Sequence, residues 1–218
     1  MRRAFALAAV LVGWSFVSPR LPMPWRVPVQ AGFGGLLAAT TRASVGLRPP
    51  RLWSGLRWGL VAGGVAASAV ATTVWFPAVR RSMAVRESPD SVLSWLAVRI
   101  PLGTVWAEES AFRAALNTAG ARAFGASGGR LLQATAFGLS HIADARTAGE
   151  PVAPTVVATG VAGWFFGWLA DRSGSLAAPM LAHLAINETA AAAALTVRRR
   201  SRLTPPGSLR CRLGLLRP

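Results

Sequence analysis

Long apolar stretches, broken at intervals by proline, glycine and arginine, restrict this chain more than any other feature. They run over residues 4–18, 28–41, 58–79, 91–117, 130–142, 154–170 and 175–197. Pro19 to Pro28, Pro49-Pro50, Ser88-Pro89-Asp90, Gly125 to Gly129, Gly149 to Pro154 and Asp171 to Gly174 separate them. Several stretches fall short of the roughly 20 residues that cross a bilayer, so those are expected to be tilted, re-entrant or half-buried. Lipid offers no partner to a free backbone N–H or C=O, which leaves helices and closed barrels as spanning structures. The alternating strands of about ten residues that a barrel needs are not found. The expected fold is all-α, a polytopic transmembrane helix bundle of about seven or eight segments.

Composition agrees. Of 218 residues, 52% are hydrophobic and 15% charged, where a soluble domain carries about 25% charged residues. The net charge of +16 rests on arginine alone, with no lysine, a usage that points to a GC-rich genome. The arginines fall between and after the apolar runs, at Arg2-Arg3, Arg48 to Arg57, Arg80-Arg81 and Arg198 to Arg212. Headgroups and aqueous loops take arginine there. A nucleic-acid binder would spread it along one polar face, so no nucleic-acid partner is expected. Trp25, Trp53 and Trp58 stand near segment ends, as interfacial anchors do. Gly59 with Gly63, and Gly163 with Gly167, form small-xxx-small pairs suited to close helix packing.

Three regions follow: N-terminal membrane helices over 1–90, a helix bundle carrying the chemistry over 91–197, and a basic flexible tail over 198–218, expected to lie on anionic lipid. Met1-Arg2-Arg3 and the run to Val17 have the shape of a signal peptide without a convincing cleavage site, and read as an uncleaved signal anchor. Charge rules send Arg2-Arg3 and Arg198-Arg199-Arg200 to the same, cytoplasmic side. That needs an even number of crossings, against seven segments. A single cysteine, Cys211, allows no intrachain disulfide.

The fourth stretch contains Glu108-Glu109-Ser-Ala-Phe-Arg113. Charged groups in the middle of a membrane helix cost about 2.5–3.5 kcal/mol each on insertion scales, and are kept there by a partner or a wet cavity. Arg113 lies one turn after Glu109 and can pair with it. Glu108 is rotated about 100° away and is left free for a cavity. The chain has two histidines, His141 and His183, both at or inside apolar stretches, and Asn187 follows His183 at helical spacing on one face. Ionisable residues on three separate membrane helices favour a functional site over a structural one. Asp144 and Glu150 are placed in a loop after His141, and Asp171-Arg172 in a short turn. Glu188 adjoins Asn187 but faces away and is left out of the site.

Glu108-Glu109-x-x-x-Arg113, Phe137-x-x-x-His141 and His183-x-x-x-Asn187, in that order, resemble the three-motif signature of the CAAX-protease/bacteriocin-processing (Rce1-like) family of intramembrane endopeptidases. The run from Gly174 to His183 resembles that family's approach to its third motif, and the resemblance covers about residues 100–190. It implies that Glu108, its pKa raised by burial and by Glu109, activates water with His141. His183 and Asn187 would hold the developing oxyanion, and Glu109 with Arg113 would support the helix. It also implies a membrane-associated peptide or protein as substrate, and an integral membrane location, the plasma membrane if the source is bacterial. A metal-free mechanism is the preferred form. If zinc or another divalent metal is present, Glu108, His141 and His183 are its candidate ligands. The rival readings are a non-catalytic membrane protein of the same fold, such as an immunity factor or scaffold, and a haem protein with His141 and His183 as axial ligands.

Overall fold

The computed structural model describes residues 1–85 and 89–203, and among these all regular structure is helical. Most of the expected tail, with Cys211, lies outside the described residues. Helices α1 (Arg2–Val17) and α2 (Met23–Thr40) form a hairpin across a 3-10 turn at Ser18–Arg20. Prolines open both the turn and α2, at positions where the missing N–H is not needed. Helix α3 (Arg51–Thr73) is followed by α4 (Pro77–Val85) at a bend of 91°. The short α5 (Val92–Ser94) runs without a break into two π-wound segments, Trp95–Trp106 and Glu109–Leu116, and on into α6 (Asn117–Ser140). Then come α7 (Ile142–Ala148), α8 (Val152–Ser173) and α9 (Ala177–Leu203).

The fourth stretch does not end at 117 as expected. Helical winding continues to Phe124 and reverses at Gly125, whose φ of 77° and ψ of 171° suit glycine alone. After that turn, 126–140 runs back along the first arm. Asp144 is likewise not in a loop: α7 holds it one turn after His141. Asp171 and Arg172 belong to the last turn of α8, where Asp171 accepts hydrogen bonds from Arg130 at 2.7 and 3.0 Å and from Asn117 at 3.2 Å.

Both small-xxx-small pairs mark close helix approaches. A Cβ on Gly59 would lie 2.9 Å from Leu181 and one on Gly63 3.3 Å from Ala185, so α3 and α9 run side by side in the same direction. A Cβ on Gly163 would meet the Phe137 ring at 2.8 Å, and one on Gly167 would meet the Gln133 amide at 2.6 Å, which seats α8 on α6. Gly163→Ala is therefore expected to force Phe137 out of its notch and to cost about 1–3 kcal/mol by overpacking. A thermal melt of the purified variant against wild type checks this.

Helix α8, and α9 over Ala177–Arg200, are long and apolar enough to cross a bilayer; the bent pair α3–α4 is a third candidate if counted as one span. Val61, Val65, Val157 and Val161 turn about two-thirds of their surface outward, which suits lipid rather than water. The two arginine groups expected on one side lie at opposite ends of the bundle. Phe5 of α1 meets Phe124, their ring centres 5.3 Å apart. Arg122, close by, donates to the Thr41 carbonyl, at the end of the molecule where Leu176 leads into α9 by a bond to Val45. Arg198 to Arg200 follow six turns later on α9, at the far end. An odd number of segments allows this arrangement, and arginines crowd both ends, so charge alone does not orient the chain.

Candidate active site

Glu109 and Arg113 lie four residues apart in the second π-wound segment, and neither side chain has any exposed surface. Their ion pair is 3.2 Å long. Phe137 and Phe166 close round the guanidinium at 3.9 and 5.0 Å from its centre, offering ring faces in place of water. The other Glu109 oxygen accepts a 2.8 Å hydrogen bond from His183 Nδ1. Glu109 therefore serves two partners, and the expectation of a simple supporting pair with Arg113 is incomplete.

That bond dictates the chemistry of His183. A carboxylate can only accept, so Nδ1 carries the proton. Nε2 then faces Glu108 Oε2 at 3.8 Å, beyond hydrogen-bond length. A neutral imidazole would turn a lone pair toward that carboxylate; the contact becomes favourable when a proton or a water lies between them. Phe166 stacks on the His183 ring at 5.1 Å and 24° and fixes its plane. Arg113, Glu109, His183 and Glu108 thus stand in one connected row that ends on the carboxylate with no arginine partner.

Glu108 is also the residue of this row that borders a cavity. An enclosure of about 90 Å³ is bounded by Glu108, Ser140, His141 and Asp144. That volume holds waters but no stretch of polypeptide. His141 Nδ1 donates to the Phe137 carbonyl at 2.7 Å, so the lone pair of a neutral ring sits on Nε2. Phe137 also meets the His141 ring edge-on at 4.6 Å and Phe112 at 5.2 Å. Its place at the centre of the site is that of a packing residue.

His183 and Asn187 do not border the cavity; His183 approaches Glu108 from the buried side. Asn187 lies one turn beyond on α9, and its side-chain nitrogen is buried without a hydrogen-bond partner. An unpaired buried donor costs about 1–3 kcal/mol. Glu108, His141 and His183 do not draw together as metal ligands, since among the described residues no group of three or more His, Cys, Asp or Glu side chains could hold an ion. No step below runs through a metal.

Two contributors escaped the sequence reading. The N-terminal helices, where no site residue was expected, supply much of the cavity wall: Leu11, Trp14 and Ser15 from α1, Gln30 and Phe33 from α2. Their approach is tight, because a Cβ on Gly34 would lie 2.5 Å from the Ala107 carbonyl, next to Glu108. Asp144 is the other. It keeps open surface at the cavity mouth, yet the surrounding protein displaces enough water to raise its carboxyl above the ordinary aspartate value, with His141 opposing. Its i, i+3 spacing from His141 was the available signal.

Residues 90–189, which hold all three motifs, match the family model described as type II CAAX prenyl endopeptidase, Rce1-like. Over this segment the chain is similar to Rce1-like domains. Searches of the curated proteins and of the solved structures gave no match. The matched segment begins just before α5 and closes with the Asn187 turn of α9, so α1 to α4 lie outside it. The match supports a CAAX-protease-type function within the membrane, and with α8 and α9 it describes an integral membrane protein.

Proposed function

We propose that the chain is an intramembrane endopeptidase of the bacterial plasma membrane that hydrolyses a membrane-associated peptide or protein with water activated by Glu108 and His141. The carrying observation is that Glu108, which pairs with no arginine, shares a water-sized cavity with an imidazole whose Nδ1 is already bonded. In this reading Glu108 takes a proton from water, with His141 Nε2 holding that water by accepting its second hydrogen, and the hydroxide adds to the peptide carbonyl. The oxyanion is held by Asn187 Nδ2 and by the Nε2–H of a doubly protonated His183, and the proton taken from water passes to the leaving nitrogen as the C–N bond breaks. The unpaired Asn187 donor supports its part, since an oxyanion would satisfy it. A cavity this small requires α1 and α2 to yield before a substrate chain reaches Glu108. The domain division at residues 90 and 197 belongs to the same proposal, with the correction that the first region helps to build the site.

A serine nucleophile is disfavoured by its hydrogen bonds. The Ser140 hydroxyl donates to the Phe137 carbonyl at 2.8 Å. His141 Nδ1, 3.4 Å from that hydroxyl, donates to the same carbonyl and has no lone pair to offer. Ser140→Ala and Ser110→Ala are expected to keep activity within about tenfold of wild type, whereas losing a general base costs a hundredfold or more. The experiment uses the purified full chain in lipid nanodiscs with a prenylated CAAX peptide and a set of lipid-anchored peptides, and reads cleavage by mass spectrometry. Internal cleavage that survives both serine substitutions and disappears with His141→Ala is the expected result. A covalent acyl-enzyme on either serine would overturn the water mechanism.

A further inference from the structure

Sharing no lining residue with the catalytic cavity, a second hollow of about 1020 Å³ opens at the right-angle bend between α3 and α4, against α9 from Thr189 onward. Its walls are of two kinds. Ala71 of α3 and Val74 just past its end make an apolar floor with Ala192 and Ala193 of α9, while Arg80 and Arg81 of α4 and Arg200 of α9 bring three guanidiniums to the rim. No carboxylate among the described residues lines it. Neither Arg80 nor Arg81 has a hydrogen bond or ion pair from its side chain among the described residues. Trp75 and Phe76, at the corner of the bend, are 80% and 63% exposed, the position at which aromatic rings mark a membrane interface. The hollow thus sits where α3 leaves the apolar layer and α4 turns across its edge.

We propose that this hollow binds one anionic phospholipid, the arginines taking the phosphodiester and the floor taking the upper acyl chains. Each half of the site excludes a simpler occupant. A free phosphate would satisfy the guanidiniums but fill a small part of 1020 Å³ and leave the apolar floor empty. A lipid of no net charge would cover the floor and bring no counterion to Arg80 and Arg81. Arginine suits the task because its planar fork grips phosphate oxygens in pairs, and basic pockets at helix ends are where membrane proteins hold such headgroups. The site is separate from the protease reading and stands or falls without it.

The test is lipid retention by the purified full chain in mild detergent. Native mass spectrometry counts phosphatidylglycerol bound after exchange against mixed phosphatidylglycerol and phosphatidylcholine micelles. Wild type is expected to keep one phosphatidylglycerol in preference to phosphatidylcholine. The double variant Arg80→Gln/Arg81→Gln is expected to hold it about 30-fold more weakly, each arginine near a lipid surface being worth about fivefold. Arg2→Gln/Arg3→Gln, at the other end of the bundle, should leave retention unchanged. If the arginine variant does not fold, Ala192→Trp, which fills the floor and keeps every charge, should lower retention by about tenfold or more. Equal loss in the Arg2/Arg3 control, unchanged retention in both groove variants, or displacement of the lipid by millimolar inorganic phosphate would each overturn the proposal.

Discussion

Glu108→Gln is expected to lower peptide hydrolysis by about a hundred- to ten-thousand-fold, the usual worth of a positioned general base, with the helix bundle still folded. Glutamine keeps the shape and the polar contact with the cavity but cannot accept a proton from water. The fold should survive because Glu108 contributes little to it. Its Oε2 makes no hydrogen bond, and its nearest charged partner, His183 Nε2, is 3.8 Å away. Single-turnover cleavage measured beside a thermal melt separates the two effects. Activity within tenfold of wild type in a folded Glu108→Gln protein would remove Glu108 from the mechanism.

The second large effect belongs to its neighbour, and it is of another kind. Glu109→Ala should destabilise the protein by about 3–5 kcal/mol, the cost of leaving a buried charge without its partner. Arg113 would keep its aromatic cage but no carboxylate, and His183 would lose the 2.8 Å bond that fixes its proton on Nδ1. Stability and activity can then be pulled apart. Replacing both members of the ion pair with apolar residues, as Glu109→Leu/Arg113→Met, should recover most of the stability, because well-packed apolar side chains often substitute for a buried pair without loss. Turnover should stay low, since nothing holds the His183 proton on Nδ1. Recovery of activity along with stability would show that Glu109 serves Arg113 alone.

Much of the site could be read from the sequence, for a definite reason. Carboxylates and imidazoles are expensive inside apolar helices, so their mere presence flags them, and the Glu109–Arg113 pair needs nothing beyond one helical turn. What could not be read is how one residue divides itself. Glu109 joins Arg113 at i+4 and His183, 74 positions along the chain, and only the packing of α9 against the π-wound segment brings the second partner within reach. Asp144 was missed because Gly149 and Pro151 gave its segment the look of a loop. The fourth stretch was ended too early because the reversal was assigned to the whole glycine cluster, when Gly125 alone provides it.

The sequence by itself determined the helical class, the membrane setting, the two glycine notches and the identity of the ionisable residues. Each follows from local rules: hydropathy over a span, the missing side chain of glycine, and the cost of charge in an apolar surrounding. Only the tertiary structure decided that α1 and α2 wall the cavity, that the arginines of the two termini lie at opposite ends, and that His183 is held by Glu109 while it faces Glu108. Those facts depend on which helix faces which. Lipid-facing and protein-facing positions on an apolar helix carry the same residues, and a contact between them leaves no periodic trace along the chain.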